Sequence, residues 1–265
     1  MVTIKKKVIK GKEYFYLGHS LREGSEIRKK ELYLGTEIPK NIELIKKEFM
    51  KEVYQEQWHE TLDKIKKGFS QEIKSMPREL REKELQSFMI KFTYDTQRIE
   101  GSKLTLRETA NLLERNITPK EKPLRDVKEA EAHKKVFYEM IGYQKDLSLN
   151  IILQWHKKLF NSTKVAIAGK IRTHGVAISG SKFVPPSPVE VIPLLKDFFE
   201  WYAKNKDETH PVELAALVHL KLVTIHPFGD GNGRISRLMM NFILNRHKYP
   251  LLDIPYENRS SYYNA

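Results

Sequence analysis

The chain has 265 residues, 40% of them apolar, and no cysteine, which excludes disulfides, thiolate zinc sites and a cysteine nucleophile. Its net charge of +13 favours polyanions or nucleotides as partners, although an ion-paired lysine–glutamate surface has the same balance. No apolar run nears the ~20 residues of a membrane span, and MVTIKKKVIKGKEY lacks the apolar stretch of a secretory signal, so a soluble, cytoplasmic protein is expected.

Residues 1–38 read as a small antiparallel meander. Three β-prone runs, TIKKKVIKG, EYFYLGHS and EIRKKELYLG, are separated by Gly11-Lys12 and by Glu23-Gly24-Ser25. Pro39 marks a boundary, and the chain then turns helical. NIELIKKEFMKEVYQEQWHETLDKIKKGF and RELREKELQSFMIKFTYDTQRIEG carry apolar residues at helical spacing, and Gly101 stands where a helix ends. Thr105 with Glu108 has capping-box spacing before LRETANLLERN. Further helices are expected over LRDVKEAEAHKKVFYEMIGY and, capped by Ser148, over LNIILQWHKKLF. AGKIRTHGVAISGSKFVPPSP breaks the pattern and predicts a two-strand hairpin or an extended flap. VEVIPLLKDFFEWYAKN and PVELAALVHLKLVTI return to helix, and the second is apolar enough to predict the buried central helix. The organisation expected is a basic β arm over 1–38, a helical lead segment over 41–104 and a core over 105–265.

The densest chemistry lies in TIHPFGDGNGRISRLMMNF, residues 224–242. A helix that stops at His226-Pro227 is followed by Gly231-Asn232-Gly233, where a new helix opens. Glycines there let backbone N–H groups approach an anion, and the helix dipole favours negative charge. Arg234 and Arg237, three residues apart, share a face and suit phosphate oxygens. Asp230 is a hard oxygen donor of the kind Mg²⁺ uses beside phosphates. His226 titrates near neutrality and can take a proton from a hydroxyl. Cradle, carboxylate, cations and base together spell phosphoryl or nucleotidyl transfer; an ordinary turn uses the same glycines.

HPFGDGNGRISR resembles the Fic-domain signature, His-Pro-Phe-x-Asp-Gly-Asn-Gly-Arg-x-x-Arg, at every fixed position. The resemblance covers about residues 85–265 and leaves the first 38 aside. It implies a mainly α fold: a Fic-type helical bundle with a β-hairpin flap, here preceded by the β meander. It implies AMP transfer from ATP, with Mg²⁺, to Ser, Thr or Tyr hydroxyls of a protein target, and leaves open whether the enzyme is a target of its own. It implies His226 as general base and Asp230 as metal ligand. Gly231, Asn232 and Gly233 would hold the phosphates with Arg234 and Arg237, the latter nearest the γ position. GKIRTHGVAISGSKFVPP looks like the family's flap, along which a target docks over 169–186 and where Gly180, Ser181, Lys182 and Phe183 line the nucleotide's edge. ENRSSYYNA resembles the family's tyrosine pair near the adenine, Tyr262 and Tyr263.

TQRIEG, Thr96 to Gly101, resembles the family's inhibitory motif. It implies that Glu100 pairs with Arg237 in place of the γ-phosphate and restrains transfer; in some relatives the same glutamate assists AMP removal. The competing reading is a regulatory or nucleic-acid-binding protein whose Fic-like core holds nucleotide without turnover. His156 and His219 read as packing residues within helices, and His133 and His247 as surface. The lysines and tyrosines of residues 1–38 leave three roles open: nucleic-acid binding, dimerisation or target docking.

Overall fold

The computed structural model describes residues 2–23, 26–178 and 183–264. The chain divides into two compact units, residues 1–65 and 66–265.

The first unit is a three-stranded antiparallel sheet and the start of a long helix. Strands β1 (Thr3–Ile9), β2 (Lys12–Glu23) and β3 (Glu26–Gly35) lie in the order β1-β2-β3. Lys10 and Gly11, with φ of 50° and 77°, make the left-handed two-residue connection that suits the strand twist. Helix α1 (Ile42–Ser75) lays Phe49 and Val53 on Leu17 of the central strand, all three at most 2% exposed. Each such side chain contributes roughly 1.5–3 kcal/mol by leaving water. Arg28 and Lys30 reach Glu60 and Glu56 of the same helix, at 3.1 and 2.6 Å.

The second unit is helical. It holds α2 (Arg78–Ile99), α3 (Leu106–Arg115), α4 (Leu124–Gly142), α5 (Leu149–Phe160), α6 (Pro188–Asn205), α7 (Pro211–Ile225), α8 (Asn232–Arg246) and α9 (Arg259–Asn264). The local signals act as expected: Thr105 and Glu108 cap α3 reciprocally, and Ser148 accepts Ile151 N–H at the start of α5. Gly101, at φ 94°, turns the chain out of α2.

Two expectations are corrected. The central buried helix is α8, not α7: twelve of its fifteen residues are buried, against five of fifteen in α7, whose Leu220 is 54% exposed. Helix α8 packs with α7, α2, α4 and α5, and its buried Asn232, Arg234, Ser236, Arg237 and Asn241 each make a side-chain hydrogen bond. His133 is not on the surface but fully buried, bonded to Thr93 at 2.8 Å and lying against Phe92. It shares a helical face with Ala130, Val136 and Phe137, so its lysine neighbours in sequence point elsewhere. Burial pushes its imidazole down to about 3, helped by Arg234 and Arg237. Of the two readings of 169–186, the described part contains no strand: it runs as turns and extended chain.

Candidate active site

The site grows from the α7–α8 connection. Helix α7 ends on His226, itself left-handed at φ 52° and ψ 56°. A non-glycine residue holds that conformation only when its surroundings impose it. Two contacts do so: Arg172 Nε donates to the His226 carbonyl at 2.7 Å, and Arg172 N–H to the Pro227 carbonyl at 2.9 Å. The His226 ring is half-buried, with Nδ1 3.0 Å from the Val223 carbonyl. A carbonyl only accepts, so Nδ1 carries the proton and Nε2 keeps its lone pair. Burial lowers the imidazole pKa, which Arg172 reinforces.

The turn that follows is held by its own residues. Asn232, 2% exposed, donates to the Phe228 carbonyl at 2.8 Å and accepts Phe228 N–H at 2.9 Å. Its amide thus closes the loop. Gly231 sits at φ 83° as the cap of α8, and a Cβ there would lie 2.4 Å from the Phe160 ring. Only glycine meets both demands. Asp230 accepts Gly231 N–H and Arg234 Nη2 on Oδ1, at 2.5 and 3.0 Å, and Lys164 on Oδ2. Burial raises its pKa, but Arg234 and Lys164 outweigh that, and the net direction is down.

The two arginines of α8 have different surroundings. Arg234 is 2% exposed and bonded to Glu129, Gln97 and Asp230. Its two terminal nitrogens are spent within the protein, on two carboxylates and an amide. Arg237, 1% exposed, receives its partners from the end of α2. Nε donates to Thr96 Oγ1 at 2.7 Å, and Nη2 to Glu100 Oε1 at 2.6 Å. The first and fifth residues of TQRIEG therefore meet one guanidinium. Burial opposes the Arg237 charge, yet Glu100 overcomes it and its pKa is raised. Glu100 also lies against the first turn of α8, since a Cβ on Gly233 would be 2.5 Å from its Oε1. A carboxylate thus fills the anion-favouring end of the helix.

Tyr262 joins this group: its hydroxyl is 3.3 Å from Arg237 Nη1 and 2.7 Å from His219 Nε2. His219, expected only to pack, thereby ties α9 to α7. Tyr263 stands beside Tyr262, with ring centroids 5.5 Å apart, and is 61% exposed. Phe183 is 44% exposed. Gly180, Ser181 and Lys182 lie outside the described residues.

Several residues that organise the site escaped the sequence reading. Arg172, 4% exposed, donates to the carbonyls of His226, His174 and Pro186, at 2.7, 3.0 and 2.6 Å. One side chain thus ties the α7–α8 loop to both described arms of the 169–186 segment. Burial pulls its pKa down from the ordinary guanidinium value. Arg172→Ala leaves three carbonyls without that donor. Amides of 170–178 are expected to exchange hydrogen at least about tenfold faster, the loss of ~1.4 kcal/mol or more in charge-assisted bonding, with the α8 core unchanged. Unaltered exchange would remove Arg172 from this role. His156 is the second case. Its Nδ1 accepts Gly169 N–H and its Nε2 donates to the Asp230 carbonyl, both at 2.9 Å, while the ring stacks on Phe228 at 3.9 Å. Burial pushes it down to about 4, so it bridges flap and loop as a neutral ring. Glu129 and Lys164 complete the list. Arg172, Glu129 and Lys164 had no sequence signal beyond their residue type, and His156 had only that of a packing residue within a helix.

Residues 146–244 match the Fic/DOC family. The chain is 35% identical to a protein adenylyltransferase, fic-1, of Caenorhabditis elegans, over 65% of this chain and 35% of that protein. It is 35% identical to a protein adenylyltransferase, Fic, of Drosophila melanogaster, over 64% of this chain. This chain therefore spans about a third of the length of the curated relatives it matches. Among solved structures, a Fic-domain-containing signaling protein from Bacteroides thetaiotaomicron superposes with a TM-score of 0.70 at 29% identity, covering 78% of this chain and 79% of that one.

Proposed function

We propose that this chain is a Fic/DOC-family protein that transfers AMP from ATP to a hydroxyl of a protein target, and that Glu100 restrains the reaction. The observation that carries the reading is the Glu100 carboxylate on Arg237 against Gly233: the N-terminal turn of α8 binds an anion and is already filled by one.

In this reading the polyphosphate of ATP takes the turn from Asp230 to Gly233. N–H groups of that turn and the dipole of α8 neutralise its charge. Arg237 would receive the γ-phosphate where Glu100 now sits. Arg234 acts from behind, buried against Glu129 and fixing Asp230. His226 Nε2 takes the proton of the target hydroxyl as its oxygen bonds to the α-phosphorus, and pyrophosphate leaves with the broken Pα–O bond. Neutral His226 and its Nδ1–H bond to Val223 support the assignment of Nε2 as base. The target would lie along 169–186, held in place by Arg172, with Phe183 at its edge. Tyr262 and Tyr263 would border the adenine.

Among the described residues no group of three His, Asp or Glu side chains could hold a metal by themselves. A single carboxylate beside a phosphate site is nonetheless a donor set that fits Mg²⁺, which takes its other ligands from phosphates and water. Asp230 would hold it, and the ion would screen the phosphate charge.

The test uses α-labelled ATP with Mg²⁺, on the native chain and on Glu100→Gly, with lysate as a source of targets. The Arg237–Glu100 bond is worth about 1.5–3 kcal/mol as a charge-assisted contact, so its loss is expected to raise labelling about ten- to a hundredfold. Equal labelling of both forms refutes the restraint. Nucleotide binding without protein-bound label in either form refutes the transfer, and protein labelled only by γ-labelled ATP replaces it with phosphoryl transfer.

A further inference from the structure

The three-stranded sheet has two unlike faces. One carries Leu17 and lies on α1, and Arg28 and Lys30 on that side are paired with its glutamates. Side chains alternate across a strand, and the register puts Lys5 opposite Tyr16, Lys7 opposite Tyr14 and Tyr33 opposite Tyr16 on the other face. That face is open: Tyr33 is 52% exposed. Its three tyrosines form a cluster, with Tyr33 centroids 5.2 Å from Tyr16 and 6.2 Å from Tyr14. Lys7 lies 4.4 Å above the Tyr16 ring.

Lys5 and Lys7 are held on the face by Glu31 of β3, at 3.0 and 2.6 Å, across the intervening strand. Gly18 makes that crossing possible, since a Cβ there would lie 2.7 Å from Lys5 Cε. Lys29, paired in register with Ser20, adds a further cation to the same face. Over residues 1–35 the sequence has nine basic against four acidic residues.

We propose that this face binds a single strand of nucleic acid, stacking unpaired bases on Tyr16 and Tyr33 and taking phosphates on Lys5, Lys7 and Lys29. Cations beside the exposed ring of Tyr33 and the half-buried ring of Tyr16 match the alternation of phosphate and base along a strand. A duplex keeps its base faces stacked inside and would offer the tyrosines nothing. Glu31 cancels part of the lysine charge, so attraction to phosphate alone is weak here and stacking supplies the remainder. Phosphates and base faces are common to RNA and DNA, and both are bound. An acidic peptide or an anionic membrane has the charge without the ring faces.

The experiment is fluorescence anisotropy on the full chain with labelled oligothymidylate and oligouridylate of about 12 nucleotides, against a duplex of the same length. Both single strands are expected to bind at about 50 mM salt, with log Kd rising against log salt at a slope of about 2. Tyr33→Ala and Tyr16→Ala are expected to weaken binding about 5- to 100-fold, one stacked base each. Tyr33→Phe keeps the ring and is expected to bind as the native chain does, which separates lost stacking from lost folding. Lys5→Gln with Lys7→Gln is expected to lower the salt slope by about 1. No single-strand binding at low salt overturns the proposal. So does a duplex, heparin or anionic vesicles bound as tightly as the single strand, with the tyrosine variants unchanged.

Discussion

His226→Asn, made in a Glu100→Gly background, is expected to lower AMP transfer by about 10²–10⁴-fold while ATP binding persists, the loss typical of a removed general base. Asparagine is the informative replacement. Position 226 is left-handed at φ 52°, a conformation asparagine tolerates and alanine does not. The loop keeps its path and loses only the imidazole. The pH profile gives a second reading of the same group. In the proposed reaction the base is the neutral ring, and burial lowers its pKa below the ordinary histidine value. Transfer is thus expected to stay level through neutrality and to fall only on acidification past the ordinary histidine range, where the buried ring at last gains its proton. Single-turnover labelling from pH 5 to 8 measures it. A rate that rises on acidification, or a His226→Asn variant with undiminished label, removes His226 from the chemistry.

Glu129→Ala is expected to cost about 3 kcal/mol of stability. Glu129 and Arg234 have side chains only 6% and 2% exposed. Removing one partner leaves a guanidinium in the interior without its main counter-charge, which typically costs about 3–5 kcal/mol. The lower end applies because Asp230 and Gln97 still bond Arg234. Glu129 also holds Thr163 and Lys164, at 3.2 and 3.3 Å, so the segment leading to the flap loosens with it. For a unit of this size the loss corresponds to a fall in Tm of roughly 6–12 °C. Thermal unfolding followed by circular dichroism checks it. A shift within about 2 °C would mean that solvent, not Glu129, satisfies Arg234.

The helices, their caps and the loop were legible because each is written in neighbouring residues. Thr105 and Glu108 are three apart and cap one helix. The first turn, expected at Gly11-Lys12, forms one residue earlier at Lys10-Gly11, still within neighbouring residues. HPFGDGNGR carries a glycine where the helix start demands a positive φ and close approach to Phe160. The pairing of TQRIEG with Arg237 was anticipated from a family resemblance, and the geometry of that contact came from the fold. Glu129 and Arg172 were not legible at all, and His156 was legible as a packing residue but not as the bridge between flap and loop. Each acts through partners distant in sequence, as Arg234 does on Glu129 across 105 residues, and no periodicity announces such a pair. The exchange of α7 for α8 as the central helix has the same origin. Mean apolarity favoured α7, whereas burial followed the helix whose charges found partners.

By itself, then, the sequence determined local conformation and chemical inventory: which segments are helix, where glycines end or open them, and that a histidine, a carboxylate and two guanidinium groups stand around one anion-favouring turn. Tertiary structure decided what each charge does. It buried Arg234 against Glu129 and set Glu100 on Arg237, 137 residues away. The reason is physical: φ and ψ preferences act over a few bonds, whereas the energy of a charge depends on its distance in space to other charges and on the water removed around it.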